Sequence, residues 1–292
     1  MREMKKIYRI ANITFQIVAP FSFEEEEKYE GFSNTTEQDG KFDFTITFKS
    51  VEEPLHYEDA CATFGEINYY KNENKRIEEY CDATSKLPFR WLEMPYGSSE
   101  WVCWYLQGKE ELFRYVSQIF RHIGLNMMLN DKKALIFHCS FVKMNNIGIL
   151  FSGPSGIGKS TQAELWRKVK GVSIINGDRA ILGKKERNWY AYGLPYAGSS
   201  NICKNESAKI GAIVVLKQTK TNRVMKLEPI DAYRAIVSET FQSRWDKQLL
   251  LITLDMTEKL MCEVPIYQLE CTPDTDAVEC LYKRLQEENI IE

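Results

Sequence analysis

The chain has 292 residues, 44% of them hydrophobic, enough for one large core or two smaller ones without covalent or metal staples. A formal net charge of -3 supplies no general positive field, so nucleic acid is excluded as a default partner and any phosphate affinity has to be local. Eight cysteines without one C-x-x-C pair read as reduced, packed thiols, and Pro265 and Pro273 break up the evenly spaced Cys262, Cys271 and Cys280, so no metal site is assigned there.

The start, Met1 to Lys6, is basic, but the apolar residues after it alternate with Asn12, Thr14 and Gln16 and run into Glu24 to Glu27. That is a strand pattern rather than a secretion signal. The charge-free run Met144 to Gly158 is broken by Asn, Ser, Pro and repeated Gly, so it does not span a membrane. The expectation is a cytoplasmic protein with no membrane association.

Residues 7 to 106 carry Tyr, Phe, Trp and Thr in short alternating stretches, such as Phe42 to Phe48, which predicts an antiparallel, β-rich region. Glu110 to Leu129 has apolar residues at 112, 113, 116, 119, 120 and 123, the period of a linking helix. A β-rich N-terminal domain over 1–130 and a nucleotide-binding domain over 131–292 follow. In the second, Ala134 to Val142 and Ile147 to Phe151 read as strands around a two-residue turn at Asn145-Asn146. Thr161 to Val169 reads as a helix, and Val172 to Ile175 as a strand ending at Asp178. Strands are expected at Ile210 to Leu216, Arg223 to Leu227 and Ile266 to Leu269, and helices at Pro229 to Phe241, Lys247 to Met261 and Thr275 to Glu288.

The segment Gly153-Pro154-Ser155-Gly156-Ile157-Gly158-Lys159-Ser160, followed by Thr161, has the spacing G-x-x-x-x-G-K-S/T. Glycines let such a loop curl so that successive N–H groups face phosphate oxygens, and the helix after it adds its positive end. The apolar run Ile147 to Phe151 before it and the helical segment after it supply the required strand, loop and helix. ATP with Mg²⁺ is the expected ligand, with Lys159 reaching the β- and γ-phosphates and the Ser160 hydroxyl ligating the metal.

If Asn145 and Asn146 form the turn, Met144 pairs with Ile147 and counting back sets His138 opposite Gly153. Leu135, Phe137, Cys139 and Phe141 share one face, leaving His138 and Ser140 on the other, so His138 reads either as a group beside the phosphates or as a hydrogen-bonded structural histidine. His56 and His122 have no chemical company and read as structural. Asp178, after Asn176-Gly177, is placed to hold magnesium or receive a hydroxyl proton; an Asp in a plain turn is the alternative. The glycine-bearing stretch Tyr192 to Asn201 is a candidate substrate-closing loop or a connector, and Arg244 a candidate charge stabiliser or a solvated arginine.

His138, the loop Gly153 to Thr161 and the strand ending at Asp178 together resemble the catalytic core of the HPr kinase/phosphorylase family, whose nucleotide fold is similar to that of phosphoenolpyruvate carboxykinase. The resemblance spans roughly 133–230. It implies an α/β domain with catalytic roles for Asp178, His138 and Lys159, nucleotide contacts from Gly153 to Thr161, and Mg²⁺ at Ser160 and Asp178. Where the bifunctional enzymes have two adjacent aspartates, this chain has Gly177-Asp178, and the later Glu-x-Arg-Gly signature gives way to Gly193-Leu194-Pro195. Neither the reverse phosphorylase reaction nor the HPr protein as substrate is therefore carried over. The segment Gly153 to Arg179, including Gln162 to Trp166, looks more like uncharacterised bacterial HPr-kinase-like proteins, some of whose relatives phosphorylate serine in peptides or as the free amino acid. The loop is also similar to that of guanylate kinases, which begin with it, and of transporter ATPases, which need a Leu-Ser-Gly-Gly-Gln-type signature absent from this chain.

The expectation is an ATP-dependent kinase acting on a hydroxyl, serine foremost, of a peptide, protein or small molecule. A nucleotide-gated binding module or slow ATPase is the alternative. The acceptor and the oligomeric state, homo-oligomer included, are left open.

Overall fold

A computed structural model describes residues 3–34, 42–196 and 198–292. The chain is mixed α/β and divides into two compact units, Met1–Met128 and Leu129–Glu292. Among the described residues no helix is long and apolar enough to cross a membrane.

Among the described residues the first unit has eight strands: β1 (Met4–Ile10), β2 (Ile13–Ala19), β3 (Phe44–Val51), β4 (Ala62–Phe64), β5 (Ile67–Lys71), β6 (Lys75–Cys81), β7 (Pro88–Pro95) and β8 (Glu100–Leu106). They form one sheet in the order β1-β2-β3-β8-β7-β6-β5-β4. The expected antiparallel region is in fact a mixed sheet, because β3 lies parallel to both β2 and β8. Alternating hydrophobicity specifies which face of a strand is buried; it carries nothing about the direction of the neighbour. The single helix expected over Glu110 to Leu129 is divided into a 3-10 turn (Glu110–Phe113), α1 (Val116–His122) and α2 (Leu125–Asp131). Gly124 makes the break: its φ is 66°, and a β-carbon there would stand 2.6 Å from the Leu92 side chain on β7. Buried charge is paired in this unit, with the fully buried Arg90 bonded to Glu78 at 2.6 Å and donating to His122 Nδ1 at 3.3 Å.

The second unit carries β9 (Ala134–Met144), β10 (Ile147–Ser152), α3 (Lys159–Lys170), β11 (Ser173–Asn176), β12 (Arg179–Lys185), β13 (Asn188–Tyr192), β14 (Ser207–Gln218), β15 (Arg223–Lys226), α4 (Pro229–Glu239), α5 (Lys247–Glu263), β16 (Ile266–Cys271) and α6 (Thr275–Glu287). Its sheet runs β10-β9-β12-β13-β14-β16-β15, with β11 alongside β9 and β10 also parallel to β14. Side chains alternate between two apolar layers. Leu135, Phe137, Cys139 and Phe141 of β9 join Leu150 of β10 under Ile236 of α4 and Met256 and Leu260 of α5. Val142, Ile149, Phe151 and Val214 pack on the other face against Trp166 of α3 and Leu281 of α6. The sheet is therefore covered by a helix pair on each side, the arrangement expected when both strand faces are apolar.

The Asn145-Asn146 turn forms as read, with Asn145 at φ 54° and Met144 opposite Ile147. Strands β12 and β13 were not anticipated, and Asp178 stands in the turn between β11 and β12 rather than at a strand end. Helix α4 stops at Glu239, with Thr240 extended and paired to Phe137.

Candidate functional site

β10 ends at Ser152, opposite Cys139, and the register carries the next residue, Gly153, to the level of His138. The backbone then curls through three left-handed glycines, Gly153 (φ 135°), Gly156 (φ 80°) and Gly158 (φ 108°), a path that side-chain-bearing residues rarely follow. Gly158 sits at the N-cap of α3, and Pro154, Ser155 and Gly156 are exposed at the crest. The first turn of α3, Lys159, Ser160 and Thr161, thus opens beside the loop with the positive end of the helix. Ser160 and Thr161 are exposed, whereas Lys159 is only 8% exposed. Its ammonium donates to the carbonyl oxygens of Gly153 at 2.7 Å and Pro154 at 3.1 Å. Burial lowers its pKa from the ordinary lysine value, opposed by the negative charges of Glu239 first and then Asp178.

The turn that holds Asp178 is built on Asn176, which is fully buried. Its side-chain oxygen accepts from the N–H of Asp178 at 2.9 Å and of Arg179 at 3.0 Å. Its amide nitrogen donates to the carbonyls of Leu194 and Tyr196, both at 2.9 Å. One side chain therefore shapes the turn and ties the stretch after β13 to it. The turn is also pinned to β9, where Cys139 N–H donates to Asp178 O at 3.1 Å and Ser140 Oγ to Gly177 O at 3.0 Å. In the candidate loop Tyr192 to Asn201, Ala197 lies outside the described residues, and a 3-10 turn spans Gly198–Ser200. A β-carbon on Gly198 would come within 2.7 Å of Asp178, and one on Gly177 within 2.2 Å of Ser200 Oγ. Gly177 therefore has no room for a second carboxylate while Ser200 keeps its place.

Charged and titratable side chains meet here. His138 Nε2 lies 3.8 Å from Asp178 Oδ1, and His138 Nδ1 lies 2.9 Å from Glu239 Oε2. Asp178 Oδ2 is 3.2 Å from Arg179 Nε. The structure thus brings His138, Lys159 and Asp178 to the mouth of the glycine-rich loop, half-exposed in the cases of His138 and Asp178. Arg244 is exposed and bonded to Gln242. His56 is exposed and His122 buried against Arg90.

Sequence reading missed Glu239 and Asn176. By periodicity Glu239 lies inside the helix expected over Pro229 to Phe241, and nothing local marks it. Asn176 had a detectable signal, an Asn-Gly pair directly before the candidate aspartate, of the kind that bonds its own backbone two residues on.

No protein-family model matches the chain, and no curated protein matches it. Among solved structures, it is similar to the Hpr(Ser) kinase/phosphatase from Coxiella burnetii, at 12% identity and a TM-score of 0.31, over 53% of this chain and 94% of that one. At that level of likeness the geometry of this chain's own site has to carry any functional conclusion.

Proposed function

We propose that the second unit is an ATP-dependent kinase that passes the γ-phosphoryl group to a hydroxyl, of the serine type, on a peptide, protein or small molecule. The observation that carries this reading is the convergence of Lys159, His138 and Asp178 at the mouth of a left-handed glycine loop that opens α3. A loop of this shape offers amides and a lysine to a triphosphate; a bare nucleotide anchor needs no histidine and carboxylate beside it.

In this reading the loop from Gly153 to Thr161 cradles the phosphates, and Lys159 exchanges its two carbonyl partners for β- and γ-phosphate oxygens. Phosphoryl transfer is mostly positioning and charge neutralisation, so few groups suffice. The acceptor hydroxyl oxygen forms a bond to the γ-phosphorus, the bond from that phosphorus to the β–γ bridging oxygen breaks, and ADP leaves. The hydroxyl proton passes to His138 or Asp178, the bases facing the mouth.

The donor set suits magnesium. Asp178 and Ser160 offer hard oxygens, and among the described residues no group of three or more His, Cys, Asp or Glu is clustered as a protein-only cage would need. Mg²⁺ characteristically takes one or two protein oxygens and completes its shell with phosphates and water. Asp178 and Ser160 would hold it, and its chemistry there is neutralisation of phosphate charge.

The test is transfer of labelled γ-phosphate to a panel of serine-containing peptides and free hydroxyl compounds. Lys159→Ala should weaken ATP binding roughly 10- to 100-fold, the loss of charge-assisted bonds worth about 1.5–3 kcal/mol. Asp178→Asn should abolish transfer with ATP binding retained. A nucleotide-gated binder or slow ATPase, which the Asn176 tie between loop and turn also suits, has no transfer to lose. ATP binding without transfer to any hydroxyl would refute the kinase reading.

A further inference from the structure

β10 pairs with β9 only as far as Cys139 and then turns away into the glycine loop. That departure vacates one edge of β9 at residues 136–138, and an unpaired strand edge has polar groups to satisfy. The chain after α4 takes the vacancy: Thr240 bridges Phe137 in antiparallel fashion, and Phe241 N–H donates to Ile136 O at 2.9 Å. Antiparallel counting from Thr240 opposite Phe137 sets Glu239 opposite His138, where its carboxylate lies 2.9 Å from Nδ1. Thr240 Oγ1 bonds back to Ile236 O at 2.7 Å, and Ile236 is fully buried, so the end of α4 is anchored. The Glu239 side chain is 11% exposed against 33% for His138.

We propose that Glu239 is the positioning residue for His138, fixing the imidazole with its Nδ1 proton bonded into the protein and its Nε2 lone pair presented to the mouth of the loop. An ionised carboxylate only accepts hydrogen bonds, so the ring nitrogen facing it has to be the donor, and the other nitrogen is the one left to work. A base oriented by a third group is the usual logic of an activated acceptor. This rests on the kinase reading and assigns within it the atom that receives the acceptor proton, Nε2. The charged groups facing His138 are Glu239 from α4 and Asp178 from the turn after β11, with Arg179 behind Asp178 and Lys159 from α3 close by. Glu239 is also the anion that acts most strongly on the Lys159 ammonium. Deleting it removes negative charge beside the phosphates, so ATP should bind no more weakly.

The chain has three histidines, so its ¹⁵N-imidazole spectrum is small, and a His138→Gln sample identifies the resonances of His138. The full-length protein is compared with Glu239→Ala and with Glu239→Gln, which keeps an oxygen acceptor. Wild type and Glu239→Gln should show Nδ1 as the protonated nitrogen, and Glu239→Ala should shift the proton toward Nε2. In Glu239→Ala, kcat should fall about 10²-fold, the lower end of what a positioned base contributes, with ATP affinity unchanged or higher; Glu239→Gln should recover part of kcat. An unaltered tautomer in a folded Glu239→Ala, or a Glu239→Gln no better than Glu239→Ala, would overturn the proposal. So would a loss of ATP affinity matching the loss of kcat, since that marks a role in holding Lys159. The spectrum needs no acceptor: a tautomer shift without wild-type transfer to any hydroxyl would refute the kinase reading and leave the orienting role standing.

Discussion

Asn176→Asp changes one atom type and almost no volume, yet it should be among the most damaging substitutions in the second unit. The native side chain makes four hydrogen bonds, accepting from Asp178 and Arg179 and donating to Leu194 and Tyr196, with no solvent access. A carboxylate keeps the two acceptor bonds, loses the two donor bonds and turns its charge on two carbonyl oxygens. Two bonds at about 1 kcal/mol each, plus carbonyl acceptors left without donors, give about 3–5 kcal/mol, a large share of the ~5–15 kcal/mol that holds a domain together. At roughly 2–4 °C per kcal/mol for a unit of this size, the midpoint should drop by about 6–20 °C. Burial raises the pKa of the introduced carboxyl above its unfolded value, so its protonated form, which can still donate, is favoured in the folded state. Stability is therefore lost as pH rises through and beyond the ordinary aspartate range, and the deficit should grow between pH 5 and pH 8. Asn176→Ala removes all four bonds and should lose about 4–6 kcal/mol, with no such pH dependence. Urea titrations at both pH values supply the comparison, and hydrogen exchange should show the stretch after β13 losing protection. A deficit under about 1 kcal/mol at pH 8 would refute the account of how Asp178 is held.

Gly177→Ala should cost about 1–3 kcal/mol through collision with Ser200, and Ser200→Gly should recover most of it in a double-mutant cycle of thermal midpoints. Brief alkylation followed by mass spectrometry should label the exposed Cys61 and Cys262 and spare Cys103 and Cys139 until the protein unfolds. Burial pushes the Cys103 thiol up to about 12 and Cys139 higher still, leaving almost no thiolate. In the first unit, burial and then the charges of Arg90 and Arg121 hold His122 well below the ordinary histidine pKa. Because the unfolded chain then binds the proton more readily, stability should be full above about pH 6.5 and fall as pH drops below it, by up to ~1.4 kcal/mol per unit. Urea titrations of wild type and His122→Phe at pH 7.5 and 5.5 test this, and an equal decline in both would refute it.

What the sequence determined by itself was local. Three glycines and a lysine at set spacing dictate a left-handed curl opening a helix, and the Asn145-Asn146 turn sets a register that brings Gly153 to the level of His138. Alternation along β9 put Leu135, Phe137, Cys139 and Phe141 in the core and left His138 free to face the loop. Each of these follows from backbone allowance or the two-residue period of a strand, properties that a short stretch possesses without its neighbours.

The remainder was decided by partners far apart in the chain. The parallel setting of β3 between β2 and β8 depends on crossovers that leave no mark in the strands themselves. The break at Gly124 depends on Leu92, and the closure of Gly177 depends on Ser200. Glu239 reaches His138 across 101 residues only because β10 leaves the edge of β9 and Thr240 takes its place. Residue chemistry and spacing announced a lysine, a histidine and an aspartate; which carboxylate grips the histidine depends on strand pairing over a vacated edge, a property of the folded sheet that no local pattern encodes.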